Sequence, residues 1–213
     1  MNPRQKRSKP ISKLYSKKFE TISWKTDEYR EAFADVESSG CWLVWGSEKN
    51  GKTRFSLMLA NELSKTGKRI LYISAEEGFS RSFIENCNKS GLESKNRLIQ
   101  FEEYIDYDEL TERLQKRNAP NVVFIDNATV YEDELKKTVF RSMLKKFNKK
   151  LFVLIAHEER KEPYTALARF CRKLSNVVVY VEGLQCSISG RLQNTTISID
   201  KEKAQIFHGS KNN

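Results

Sequence analysis

The run Gly46-Ser47-Glu48-Lys49-Asn50-Gly51-Lys52-Thr53 has the G-x-x-x-x-G-K-T spacing of a phosphate-binding loop. Its glycines let backbone N–H groups turn onto a triphosphate, and Lys52 adds a point charge. The Thr53 hydroxyl can ligate Mg²⁺ at the positive end of the helix that follows. With Arg54 just inside that helix, residues 46–54 are the candidate contacts to ATP. Such a site also needs a carboxylate near the metal. Asp126 ends the apolar run Val122-Val123-Phe124-Ile125, which places it at the C-terminal end of a buried strand; a cap on the next turn is the plainer alternative. Hydrolysis further requires a group that orients or deprotonates water. Ile70-Leu71-Tyr72-Ile73-Ser74 runs directly into Ala75-Glu76-Glu77-Gly78, so one of two adjacent acids stands where a general base would, unless the pair only opens a helix. His157, after Leu154-Ile155-Ala156, is placed to meet the γ-phosphate or the attacking water from another strand end, or else is satisfied locally.

These side chains can converge only if several strands deliver their C-terminal ends to one edge. From residue 41 onward short apolar runs alternate with amphipathic stretches: strand 41–45, helix 52–65, strand 69–74, helix near 79–90, an edge strand at 97–101, helix near 107–117 and strand 122–126. A helix over 132–150 follows, opened by Glu132, Asp133 and Glu134 and closed by Lys145, Lys146, Lys149 and Lys150. Strand 151–156, helix 164–174, strand 177–181 and two period-two strands, 185–189 and 195–199, finish the pattern. Such alternation predicts an α/β fold with a mainly parallel sheet, preceded by a short helix at 27–36 bearing Tyr29 and Phe33.

The chain has 213 residues, 38% of them apolar and 11% aromatic, which suits one domain with a full core. No run approaches the eighteen or so apolar residues of a membrane span, and no signal peptide is apparent, so a cytoplasmic protein without membrane contact is expected. Cys41, Cys87, Cys171 and Cys186 are far apart and read as buried thiols. Of the net charge of +10, +7 lies in residues 1–18, which contain no acid, and +3 remains for the rest. That arm is a candidate for neutralising DNA phosphates, or simply a solubilising leader. The expected division is a disordered basic arm at 1–20, a domain at 21–208 and a disordered tail at 209–213.

Taken together, the phosphate loop at 46–53, Glu76 within Ser-Ala-Glu-Glu, Asp126 at the end of Val-Val-Phe-Ile-Asp, and His157 resemble the RecA-like ATPases, in particular the branch of KaiC, the RadA repair ATPases and the DnaB-type helicases. The resemblance spans about residues 38–208. It implies a core strand order 5-1-4-3-2 with strand 151–156 in the middle, ATP and Mg²⁺ as cofactors, and Glu76 rather than Glu77 as base. It also implies a finger arginine after the late strands that acts on a neighbouring subunit. Arg191 takes that position, with Ser189 where the family has lysine, which argues against a helicase-type ring. The chain is similar to the compact single-domain ATPases of phage and mobile elements. The implied role is ATP hydrolysis coupled to DNA or partner binding in replication, recombination or repair, with a homo-oligomer or a replication or recombination protein as partner. Two other readings use the same loop: a small-molecule or nucleotide kinase with Arg160, Arg169 and Arg172 as a phosphate clamp, and a non-hydrolysing ATP-dependent switch.

Overall fold

Parallel strands covered on both faces must be apolar throughout, and the runs after residues 40, 69, 121 and 150 satisfy this. The computed structural model describes residues 8–190 and 194–209. In chain order these form α1 (Ile11–Tyr15), α2 (Asp27–Phe33), β1 (Gly40–Gly46), α3 (Lys52–Lys65), β2 (Ile70–Ser74), α4 (Arg81–Lys89), β3 (Ile99–Glu102), α5 (Tyr107–Gln115) and β4 (Val122–Asp126). A 3-10 turn at Ala128–Tyr131 leads to α6 (Lys137–Lys146), β5 (Leu151–Glu159), β6 (Glu162–Pro163), α7 (Ala166–Leu174), β7 (Val177–Glu182), β8 (Gln185–Gly190), β9 (Asn194–Ser198) and α8 (Lys201–Gly209).

The sheet runs β3-β2-β4-β5-β1-β7-β8-β9, with β6 paired to β5. Strands β3 to β7 along this order are parallel, whereas β8 pairs antiparallel with β7 and β9 antiparallel with β8. Counting the phosphate-loop strand as first and setting aside the edge strand, this is the order 5-1-4-3-2. Side chains alternate between faces. Trp42, Val44, Tyr72, Phe124, Val153 and Val179 pack with α2, α3 and α4, while Leu43, Leu71, Ile73, Val123 and Leu154 pack with α5, α6 and α7. On the first face Phe33 stacks on Trp42 at 5.3 Å and Trp24 lies 5.0 Å from Phe33, which ties the segment before β1 into the core. β1 pairs with β5 on one side and β7 on the other, so the phosphate loop leaves the middle of the sheet, where α/β folds open a ligand crevice.

Three expectations are corrected. The helix foreseen at 132–150 begins only at Lys137, and no acid lies in its first turn. Burial of Tyr131 and Leu135 forces a tight turn, with Leu135 N donating to Tyr131 O at 2.8 Å. The acids serve other helices: Glu132 accepts from Ala166 N at 3.2 Å at the start of α7, and Glu134 from Tyr107 N at 2.8 Å at the start of α5. Cys41 on β1 and Cys171 on α7 form a disulfide, leaving Cys87 and Cys186 as the free thiols among the described residues. α8 follows the last strand although no helix was foreseen there. Within the basic arm, α1 buries none of its residues.

Candidate functional site

β1 ends at Gly46, and the loop closes at Gly51, whose φ of 100° is one that side-chain-bearing residues rarely adopt. A Cβ on Gly51 would also meet Leu184 Cδ2 at 2.7 Å. α3 then starts at Lys52, and its first turn presents free N–H groups toward the loop. Lys52 is buried, and its ammonium donates to Ser47 O across the loop at 2.8 Å. Burial pushes its pKa down, and the carboxylates of Asp126, Glu76, Glu48 and Glu158 pull it back up. Asn50 braces the loop: its Nδ2 donates to Glu48 O at 2.9 Å and its Oδ1 accepts from Gly183 N at 2.6 Å. Arg54 reaches Asp200 at 3.4 Å.

Asp126 lies in register with Ser74 on the neighbouring β2, so the ends of two strands meet beside the loop. Its carboxylate is buried; it accepts from the Tyr72 hydroxyl at 2.7 Å and also bonds the Thr53 side chain. Burial raises its pKa, against the lowering effect of the Tyr72 and Thr53 hydrogen bonds. Tyr72 is itself driven well above its ordinary value by burial and by the Asp126 charge, so it remains a neutral donor.

The backbone after β2 folds over Asp126, with Ala75 N donating to Asp126 O at 2.6 Å. The two adjacent acids both border the cavity over the phosphate loop but are bonded differently. Glu76 faces the cavity over the phosphate loop, and His157 Nε2 donates to its two oxygens at 2.9 and 3.0 Å. An ionised carboxylate only accepts, so Nε2 carries the proton, while Nδ1 is buried without a partner. Glu77 instead accepts from Ser80 Oγ at 2.8 Å and from Ser82 Oγ, a contact at the start of α4.

Lys52, Thr53, Glu76, Asp126 and His157 thus line one cavity of about 840 Å³. Glu48, Lys49, Gly51, Arg54 and Glu77 line it too, whereas Gly46, Ser47 and Asn50 shape the loop. Arg191 lies outside the described residues. A hydroxyl and a carboxylate beside a lysine form an oxygen donor set suited to Mg²⁺ with a polyphosphate, and the Gly51 backbone leaves the cradle open, so the residues fit ATP and Mg²⁺. Sequence reasoning missed three contributors. Tyr72 could have been found as the hydroxyl-bearing side chain in the middle of the apolar run Ile70-Leu71-Tyr72-Ile73. Glu158, which accepts from Ser47 Oγ at 3.2 Å, and Leu184 carried no local signal.

No family model and no curated protein sequence matches the chain. Solved structures do: 554 chains match, so the architecture recurs widely and bears on fold rather than role. One is the crystal structure of the flagellar accessory protein FlaH from Methanocaldococcus jannaschii, with a TM-score of 0.60 at 14% identity over 82% of this chain and 88% of that one. No helix among the described residues is long and apolar enough to cross a membrane. The strand order, the central phosphate loop and this similarity together make the fold RecA-like.

Proposed function

We propose that the protein is a Mg²⁺-dependent ATPase that couples hydrolysis to binding of DNA or of a protein partner in replication, recombination or repair. The observation that carries the reading is that the two acids, which both border the cavity, are bonded differently: Glu77 is engaged by Ser80 and Ser82 at the start of α4, while Glu76 meets His157 over the phosphate loop with Lys52, Thr53 and Asp126. When bound, the metal would supply charge neutralisation for the phosphates, held by the Thr53 hydroxyl and the Asp126 carboxylate. Lys52 holds the phosphates. Tyr72 keeps Asp126 oriented by a hydrogen bond that costs no charge. Glu76 orients the water and takes its proton, and His157 positions the Glu76 carboxylate while spanning to β5.

The kinase reading gains nothing from Arg160, Arg169 and Arg172, none of which lines the cavity over the phosphate loop. Arg169 donates to Pro163 O and Tyr164 O, and Arg172 pairs with Glu162 at 2.7 Å and lies over the Trp45 ring. The switch reading has one specific observation in its favour, because His157 engages both oxygens of Glu76 and would hold the base idle. Measuring phosphate release alone, with single-stranded DNA and with duplex separates the readings. Turnover without any acceptor supports the ATPase; tight ATP binding with negligible turnover under every condition supports the switch.

A further inference from the structure

β7 and β8 are joined by two residues, Gly183 and Leu184, with φ of 54° and 61°. A hairpin turn with positive φ at both central positions ordinarily takes Gly or Asn, so Leu184 sits there against its backbone preference. Its side chain is delivered onto the phosphate loop, against Gly51. The loop grips the turn in return: Gly183 N donates to Asn50 Oδ1 and Leu184 N to Asn50 O at 3.3 Å. α8 completes this wall. The Phe207 ring packs on Gly183 so closely that a Cβ there would overlap it, and Ile206 beside it is 73% exposed. Between turn and helix lies a second cavity of about 460 Å³, which shares Lys49, Leu184 and Lys203 with the larger one over the phosphate loop.

We propose that this second cavity is the nucleobase subsite, and that it takes the base by its ring faces rather than by its edges. The inference rests on the nucleotide reading of the phosphate loop and deepens it. A nucleoside triphosphate has an anionic tail and a flat, weakly polar head, and the two connected cavities divide in the same way: Lys52, Thr53 and Asp126 in one, Leu184, Ile206 and Phe207 in the other. Stacking on apolar and aromatic side chains is tolerant of base identity. The polar side chains at the second cavity include Lys49 and Lys203, flexible cations that hold no rigid edge-reading pair, and Asn50 is committed to the loop. ATP and GTP should therefore bind within about tenfold of each other, the range that an apolar pocket discriminates.

The test titrates the full chain with Mg²⁺ and three probes: ATP, GTP and tripolyphosphate, which has no base. Phe207→Ala and Ile206→Ser should each weaken ATP and GTP by roughly tenfold, the usual worth of a stacked base, and leave tripolyphosphate within about twofold. Ile206 is exposed, so its substitution tests the subsite even if Phe207→Ala loosens α8. Unchanged ATP affinity in both variants overturns the proposal. So does an equal loss for tripolyphosphate, which would make α8 a brace for the loop. Rejection of GTP by more than about a hundredfold in the unmodified protein would show edge reading instead. Loss of both ATP and tripolyphosphate in Lys52→Ala is the control for the underlying reading. If the unmodified protein binds neither probe, the phosphate-loop reading falls and the subsite with it, whereas intact tripolyphosphate binding beside a failed Phe207 and Ile206 series removes the subsite alone.

Discussion

At the scale of single residues, the chemistry depends on two carboxylates held in opposite ways. Asp126 is buried and satisfied by hydroxyls; Glu76 is half-exposed and held by an imidazole. Lys52→Ala should abolish nucleotide affinity. Glu76→Gln should retain ATP binding while turnover falls about 10²-fold or more, whereas Glu77→Gln should hydrolyse at close to the unmodified rate because its carboxylate faces α4. Paired binding and phosphate-release measurements check this, and normal turnover in Glu76→Gln would remove it from the base role. Tyr72→Phe deletes the donor to a buried carboxylate without changing volume much. It should cost about 1–3 kcal/mol of stability, measured by denaturant unfolding, and an unchanged midpoint would mean that Thr53 alone satisfies Asp126.

At the scale of elements, α4, α5 and α7 are capped locally by Ser80, Asp106 and Thr165, whereas the start of α2 is held by a side chain from elsewhere in the chain. Thr26 is the N-cap of α2 but makes no side-chain cap of its own. Instead Glu62 of α3 accepts from Lys25 N at 3.1 Å and from Thr26 N at 2.9 Å, and Lys65 pairs with its second oxygen at 3.0 Å. Burial alone would raise the Glu62 pKa, but Lys65 and the Thr26 hydrogen bonds outweigh it and hold the group below its ordinary 4.5. A pKa lowered on folding contributes stability that is complete above the unfolded value and is lost as pH falls through the folded one. Glu62→Gln should therefore be less stable than the unmodified protein at neutral pH, with the gap closing below about pH 4, as thermal melts at several pH values would reveal. A gap independent of pH would assign the effect to packing.

At the scale of the whole molecule, two properties concern partners. The +7 arm is proposed as a contact to DNA phosphates. Each phosphate neutralised contributes about −0.9 to the slope of log K against log salt on duplex, or about −0.7 on single strands, so deleting residues 1–18 should flatten the slope by several units and spare basal ATPase. An unchanged slope would reassign the arm. Arg191 is proposed to act on a neighbouring subunit's nucleotide, where a guanidinium can stabilise charge developing on the γ-phosphate. Mixing Arg191→Ala with Glu76→Gln protein should then restore part of the turnover, because one interface combines the intact arginine with the intact glutamate. No rescue, together with activity independent of protein concentration, would indicate a self-contained monomer.

Within the molecule, the phosphate loop and the three acid-bearing or histidine-bearing strand ends were legible in the amino-acid sequence, while the sheet order came only through the resemblance to the RecA-like ATPases. The loop and the strand ends depend on local pattern: spacing within eight residues, or an apolar run stopping at a polar residue. What the pattern left open was direction. Glu76 and Glu77 are equivalent as neighbours in sequence and both border the cavity, and only the fold gives one to His157 and the other to Ser80 and Ser82. Glu132 and Glu134 read as the start of their own helix, yet their carboxylates meet N–H groups of residues 166 and 107. Cys41 and Cys171, 130 positions apart, meet because β1 lies against α7. Leu184 reaches Gly51 for the same kind of reason, through the pairing of β1 with β7. Local propensity and periodicity are properties of consecutive residues and so can be read along the chain, while the partner of a side chain is set by which strands and helices the packed sheet brings side by side.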